Sequence, residues 1–229
     1  MNVPGTVLLS GIVGSQAYGL ATPESDTDRL GMYALPTEDF HRLRYPEESI
    51  VLTEPSDHTL HEAVKFCRLV LGGNPTVTEL LWLPADLYEV KHELGLELID
   101  IRSAFLSAPR VRAAYLGYAR QQFDRLVKRE GTFSSDLAKR TAKHARHLLR
   151  LLHQGFHLYS TGELEIRLDH PAMYRAFGEA VALDPLVADE QLMEYEAKFN
   201  TVATALPLEP DVAPVEEWLL RVRRTFYRW

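Results

Sequence analysis

Residues 6–28 read TVLLSGIVGSQAYGLATPESDTD, and three features of this stretch decide the fold. Thr6–Val13 is a short apolar run, β-branched in part and punctuated by Gly11, which reads as a buried strand. It ends in Gly14-Ser15, where glycine lets the backbone approach a ligand closely and the serine hydroxyl, with nearby backbone N–H groups, suits phosphate oxygens. After a polar stretch to Ser25, Asp26-Thr27-Asp28 opens a second predicted strand over Asp26–Leu35, closed by Pro36. Residues two apart on a strand share a face, so Asp26 and Asp28 present two carboxylates side by side. Such a pair repels itself unless a cation lies between, and magnesium takes oxygen ligands of this kind, completing its shell with water and substrate phosphates. Asp-x-Asp alone is common in solvated turns, and Gly-Ser alone says less. The information lies in their order: strand, glycine turn, then paired acids opening the next strand.

Outward from this stretch, Ile50–Thr53 and His58–His61 are candidate third and fourth strands. Ala63, Phe66, Cys67 and Val70 then fall on one helical stripe, which Gly72-Gly73 ends. Asn74-Pro75 reads as an N-cap followed by proline at the first helical position, and Pro84 ends that short helix. Asn74 and Glu79 read as cap and packing support. From about His92 the pattern is helical only: Leu94–Leu106, Val111–Val127, and a long helix capped at Ser134-Ser135-Asp136 that runs to about His153. Pro171, Pro185 and Pro214 lie near further helix starts. The expected fold is α/β (α+β): a small mixed-sheet core over residues 1–105, with a helical region over residues 106–229 packed on it.

Composition narrows the class. Of 229 residues, 46% are hydrophobic and 25% charged, an ordinary globular balance that argues against long disorder. No apolar run is long enough to span a bilayer, and Met1–Gly5 lacks the basic and apolar regions of a signal peptide, so a cytoplasmic protein without a membrane partner is expected. Cys67 is the single cysteine, which excludes an internal disulfide and a cysteine-based zinc site. The net charge of −7 repels polyanions on average, which counts against a general nucleic-acid coat protein but not against a nucleotide enzyme.

The segment GSQAYGLATPESDTD resembles the Gly-Ser…Asp-x-Asp signature of the DNA polymerase β superfamily of nucleotidyltransferases. It is more closely similar to the RNA-repair-pathway branch, in which Gly-Ser-x-Ala-Tyr-Gly precedes Ser-Asp-x-Asp. Looser matches follow in order: Lys65-Phe66, Gly73-Asn74-Pro75, Glu79-Leu80-Leu81, Phe105-Leu106-Ser107, Gly117-Tyr118-Ala119, Lys143-His144 and Thr161-Gly162-Glu163-Leu164. The resemblance implies a mixed sheet flanked by helices and transfer of a nucleoside monophosphate from an NTP to a hydroxyl, with release of pyrophosphate. It implies magnesium or manganese, two ions, held by Asp26 and Asp28, and nucleotide binding at Gly14, Ser15 and Tyr18. The implied acceptor is RNA, a tRNA-like end. A third acid belongs to the superfamily's site. Glu62 is the first choice and Asp57 the alternative; they lie five apart and so face opposite sides of an ideal strand. Glu62 also reads as a first-turn helix acid, and Asp57 as a turn residue.

Lys139, Lys143, Arg146 and Arg150 recur at helical spacing beside His144 and His147, with Leu148, Leu151 and Leu152 on the other side. Lys143 and Arg150 are therefore candidate ligands of the triphosphate or of an RNA backbone, against the competing reading of a solvated helix face. In WLLRVRRTFYRW at the end of the sequence, arginines alternate with Trp218, Phe226, Tyr227 and Trp229; docking of an amphipathic final helix explains them better than base stacking. Two other functions fit the same residues: nucleotidylation of a protein or small molecule, and a catalytically silent nucleotide-binding or antitoxin-like module.

Overall fold

A computed structural model of the protein describes residues 3–53, 57–127 and 135–227. Two compact units emerge, one of Met1–Leu106 with Glu209–Trp229 and the other of Ser107–Leu208.

The first unit is built on a five-stranded mixed sheet. Its strands are β1 (Thr6–Val13), β2 (Asp28–Ala34), β3 (Ser49–Leu52), β4 (His58–Glu62) and β5 (Tyr88–Lys91), in the spatial order β3-β4-β2-β1-β5. β1 runs antiparallel to both β2 and β5, β4 runs parallel to β2, and β3 closes the edge antiparallel to β4. The buried positions of β1 and β2 include Leu8, Leu9, Val13, Leu30 and Met32, as expected of central strands. One cluster joins Tyr33, Leu35 and Leu60, with Ile50, Leu52 and Phe40 packed against it.

Helices follow where the sequence punctuates. Gly14–Tyr18 forms a one-turn helix, α1, at the start of the polar stretch that follows β1. α2 (Ala63–Leu71) buries Ala63, Phe66, Cys67 and Val70, the predicted stripe. The Asn74 side chain accepts from the Val77 N–H at 3.1 Å and starts α3 (Pro75–Thr78). α4 (Glu93–Asp100) ends earlier than expected, and a 3₁₀ turn over Arg102–Phe105 takes up the rest.

Among the described residues the second unit holds four helices: α5 (Ala108–Val127), α6 (Ser135–Thr161), α7 (Pro171–Leu183) and α8 (Leu186–Thr201). α6 runs two turns beyond His153, because Phe156, Leu158 and Tyr159 extend its apolar pattern. Leu158 is fully buried, while Phe156 and Tyr159 pack their rings on Phe199 of α8. The predicted cap at Ser134-Ser135-Asp136 falls outside the residues whose side chains the structure describes, as do Arg228 and Trp229.

The segment after residue 208 does not join the helical region. α9 (Val212–Thr225) belongs to the first unit. Trp218 is fully buried and its indole donates to the Leu94 carbonyl at 2.8 Å; Arg221 pairs with Glu97 and Arg223 with Glu62. Among the described residues, no helix is long and apolar enough to cross a membrane.

Candidate active site

The site takes shape where β1 ends. Val13 pairs with Asp28 across the β1–β2 ladder, so the residue after Val13 meets the aspartate side chain. That residue is Gly14. Its φ is +72°, and a Cβ built on it would lie 2.5 Å from Asp28 Oδ2. Glycine is thus required twice, by backbone angle and by the carboxylate packed over it. Ser15 is half-buried at the start of α1, and among the described residues its hydroxyl makes no hydrogen bond to the protein.

The loop between α1 and β2 is held in place by polar contacts. Gln16 Nε2 donates to Thr27 Oγ1 at 2.7 Å, and the Thr22 N–H donates to Ser25 Oγ at 2.9 Å. Asp26 and Asp28 therefore flank a residue that is tied to α1, and both are exposed. β2 begins at Asp28 rather than Asp26, so the loop, not strand alternation, positions Asp26. These two acids are hard oxygen donors of the kind that magnesium or manganese accepts. Among the described residues, no group of three or more His, Cys, Asp or Glu is arranged to hold a metal ion, so two carboxylates leave most of a coordination shell to water and phosphate.

The β2–β4 register decides what else lies near Asp28. Arg29 pairs with His58, and the Arg29 N–H donates to the Asp57 carbonyl at 2.8 Å, so Asp57 is the neighbour of Asp28. Behind them, on the Arg29 side of the sheet, Arg29 Nε donates to both carboxylate oxygens of Glu89 at 2.9 and 2.8 Å. His58 Nε2 lies 3.1 Å from Ser10 Oγ. Burial holds the His58 pKa below its ordinary value; Glu89 opposes that shift and Arg29 adds to it.

The comparisons with known proteins bear on this geometry. The model of the RNA repair pathway DNA polymerase beta family matches residues 2–191. This chain is a member of that family. An uncharacterized 38.9 kDa protein of Enterobacteria phage T4, from the nrdC-mobD intergenic region, is 31% identical over 121 residues. That match covers 48% of this chain and 35% of the phage protein, so the chain spans about a third of this relative's length. The crystal structure of a nucleotidyltransferase-like protein from Exiguobacterium sibiricum is similar at 12% identity and a TM-score of 0.35, covering 97% of this chain and 75% of that one. Membership places the protein in the DNA polymerase β group that gives the family its name, and its fold is a mixed sheet with helices.

Within this family frame, several expected site residues are placed elsewhere. Glu62 pairs with Tyr33, five residues along from the Asp28 neighbour and on the opposite face of the strand. Its side chain is 1% exposed, accepts from the Val64 N–H at 2.9 Å, and receives Arg223 Nη1 at 2.7 Å. It caps α2 and pairs with Arg223, and the structure does not bring it beside Asp28. Tyr18 is buried and donates to Glu79 at 2.7 Å, which anchors α1. The four-cation stripe also divides. Lys139 and Lys143 are exposed, but Arg146 packs its stem against Gly178 of α7, and Arg150 is 1% exposed and bonded to Gln154 and His147. Arg150 is therefore an interior residue of the helical unit and not a surface ligand. Sequence reading missed the Gln16–Thr27 tie and the Tyr18–Glu79 pair, since neither follows a period or a motif.

Proposed function

We propose that the Gly14–Asp28 end of the sheet transfers a nucleoside monophosphate from an NTP to a hydroxyl of an RNA acceptor, releasing pyrophosphate. The observation that carries the reading is the Asp28 carboxylate packed over Gly14, which puts the acid beside the turn that begins with Ser15. In that arrangement Ser15 and the turn's backbone hold phosphate oxygens, while Asp26 and Asp28 hold a divalent cation, magnesium or manganese. When bound, such an ion offsets charge on the attacking and leaving oxygens of an in-line displacement. The acceptor oxygen bonds the α-phosphorus, the bond from that phosphorus to the bridging oxygen breaks, and pyrophosphate leaves with the electron pair. The hydroxyl proton passes to a carboxylate or to water. Of the two candidate third acids, Asp57 is the one whose backbone neighbours Asp28 across β2–β4, and its role is that of an acid beside the metal-holding pair rather than of a third metal ligand.

The test is incubation with each labelled NTP, magnesium and total RNA or total protein. Label should enter RNA. Asp28→Asn keeps shape and removes charge, and should lower transfer by roughly 100-fold or more with an unchanged melting curve. Asp57→Asn should behave likewise, whereas Glu62→Gln should cost stability and leave transfer per folded molecule intact. Full activity in Asp28→Asn, or label entering protein alone, would sink the reading.

A further inference from the structure

Within the helical unit, positive charge gathers where α5 and α6 lie side by side. Arg125 on α5 and Lys139, Arg140 and Lys143 on α6 are all exposed. His144 Nδ1 lies 2.8 Å from Gln122 Oε1, which ties this face of α6 to α5. His147 is half-buried beside them, and its Nδ1 lies 3.0 Å from Arg150 Nη2. A guanidinium has donors only, so that contact makes Nδ1 the acceptor and leaves the imidazole proton on Nε2. Burial depresses the His147 pKa to about 3, and the charges of Arg150, His144, Arg125 and Lys143 all add to the effect. The imidazole is thus neutral, with its proton on Nε2, among cations.

Gathering like charges is unfavourable, and in a protein of net charge −7 nothing general about the surface accounts for it. The arrangement is also linear. Lys139, Lys143 and His147 are four residues apart, about 6 Å per step along a helix. That makes an array about 12 Å long, which Arg125 widens from the neighbouring helix. Regularly spaced cations and neutral donors match a strand of regularly spaced phosphates; a triphosphate would occupy only part of the row.

We infer that the α5–α6 face carrying Arg125, Lys139, Lys143 and His147 binds the phosphodiester backbone of single-stranded RNA. The choice of RNA over another linear polyanion rests on the proposed function. The binding itself needs neither the metal nor the NTP.

The experiment is fluorescence anisotropy of a 5′-labelled, mixed-sequence RNA 20-mer with the full chain, across a salt series without NTP or divalent metal. Both lysines are exposed, so Lys139→Ala/Lys143→Ala preserves the fold, checked by its melting curve. Removing two phosphate contacts should flatten the slope of log K against log salt by about 1.4. Affinity at low salt should drop about tenfold, while binding of magnesium–NTP stays unchanged. An unchanged salt slope in the double variant overturns the inference, and so does weaker NTP binding with RNA binding intact. Asp28→Asn separates this test from that of the proposed function. It should abolish transfer and leave RNA binding alone. Salt-sensitive RNA binding lost in the lysine variant but unaccompanied by any transfer in the native chain would uphold this site and refute the catalytic reading.

Discussion

At Gly14 a single hydrogen atom in place of a methyl group lets an acid and a turn share space. The left-handed angle and the 2.5 Å approach to Asp28 make distinct demands, and they can be separated. Gly14→Ala should cost about 1–2 kcal/mol for the backbone conformation alone. The added Cβ also pushes the Asp28 carboxylate aside. Displacing a reacting group by about 1 Å costs on the order of 100-fold in rate, so activity should fall far more than stability. Thermal unfolding and labelled-nucleotide transfer, measured on one preparation, check this; activity lost only in proportion to the unfolded fraction would show that the glycine serves the backbone alone. This part of the site was legible because residue type and order carry it: a strand, Gly-Ser, then Asp-x-Asp. The choice between Asp57 and Glu62 for a third acid was not. Asp57 and Glu62 differ in parity on one strand, and parity becomes meaningful only once the parallel β2–β4 register sets Arg29 against His58.

Among the elements, β1, α2 and the Asn74 cap follow from apolar runs, a helical stripe and a polar cap, all local signals. β5 does not, because Tyr88–Lys91 is four residues long with three of them exposed, so it has no alternation to read. α6 was foreseen as a helix with a basic stripe, yet α7 covers the later part of that stripe, a tertiary fact that spacing alone cannot contain. That burial has a measurable consequence. Burial lowers the His147 pKa to about 3, helped by surrounding cations, and that of His153 to about 4, helped by Lys198 and opposed by Glu194, against an ordinary 6.5 for each. Both histidines fold neutral, so their contribution is complete above pH 6.5 and is lost as pH falls from 6.5 toward 3–4. Each should cost the folded state roughly 1–2 kcal/mol between pH 7.5 and pH 5. In urea unfolding, His153→Phe should show a shallower loss over that interval than the native protein. Equal slopes would mean that His153 titrates normally in the folded state.

For the molecule as a whole, the chain leaves the first unit at residue 106 and returns to it at residue 209. Sequence reading grouped residues 209–229 with the helices before them, since adjacency and helical pattern were all it had. What decides membership is long-range: the Trp218 indole on the Leu94 carbonyl, the Thr37 hydroxyl on the Arg223 carbonyl at 2.5 Å, and Arg223 on the buried Glu62. Arg223 also stacks over Phe40, with its guanidinium carbon 4.0 Å from the ring centre. The sheet unit is therefore incomplete until the last helix is made. Removing a buried tryptophan costs about 3–5 kcal/mol, and stripping Arg223 from buried Glu62 about 3 kcal/mol more. Val215 and Val222 are also buried, and each adds about 1.5–3 kcal/mol. Together these come to about 9–14 kcal/mol, comparable to the roughly 5–15 kcal/mol by which a domain is stable. A chain ending at Leu208 should thus fail to fold its sheet unit, although every residue of the proposed site is still present. Backbone amides of β1, β2 and β4 should exchange freely, and transfer should vanish. Trp218→Phe, which keeps an aromatic ring and loses one hydrogen bond, should retain both protection and activity at a lower melting temperature. Native-like amide protection of those strands in the truncated chain would show that α9 only decorates the unit.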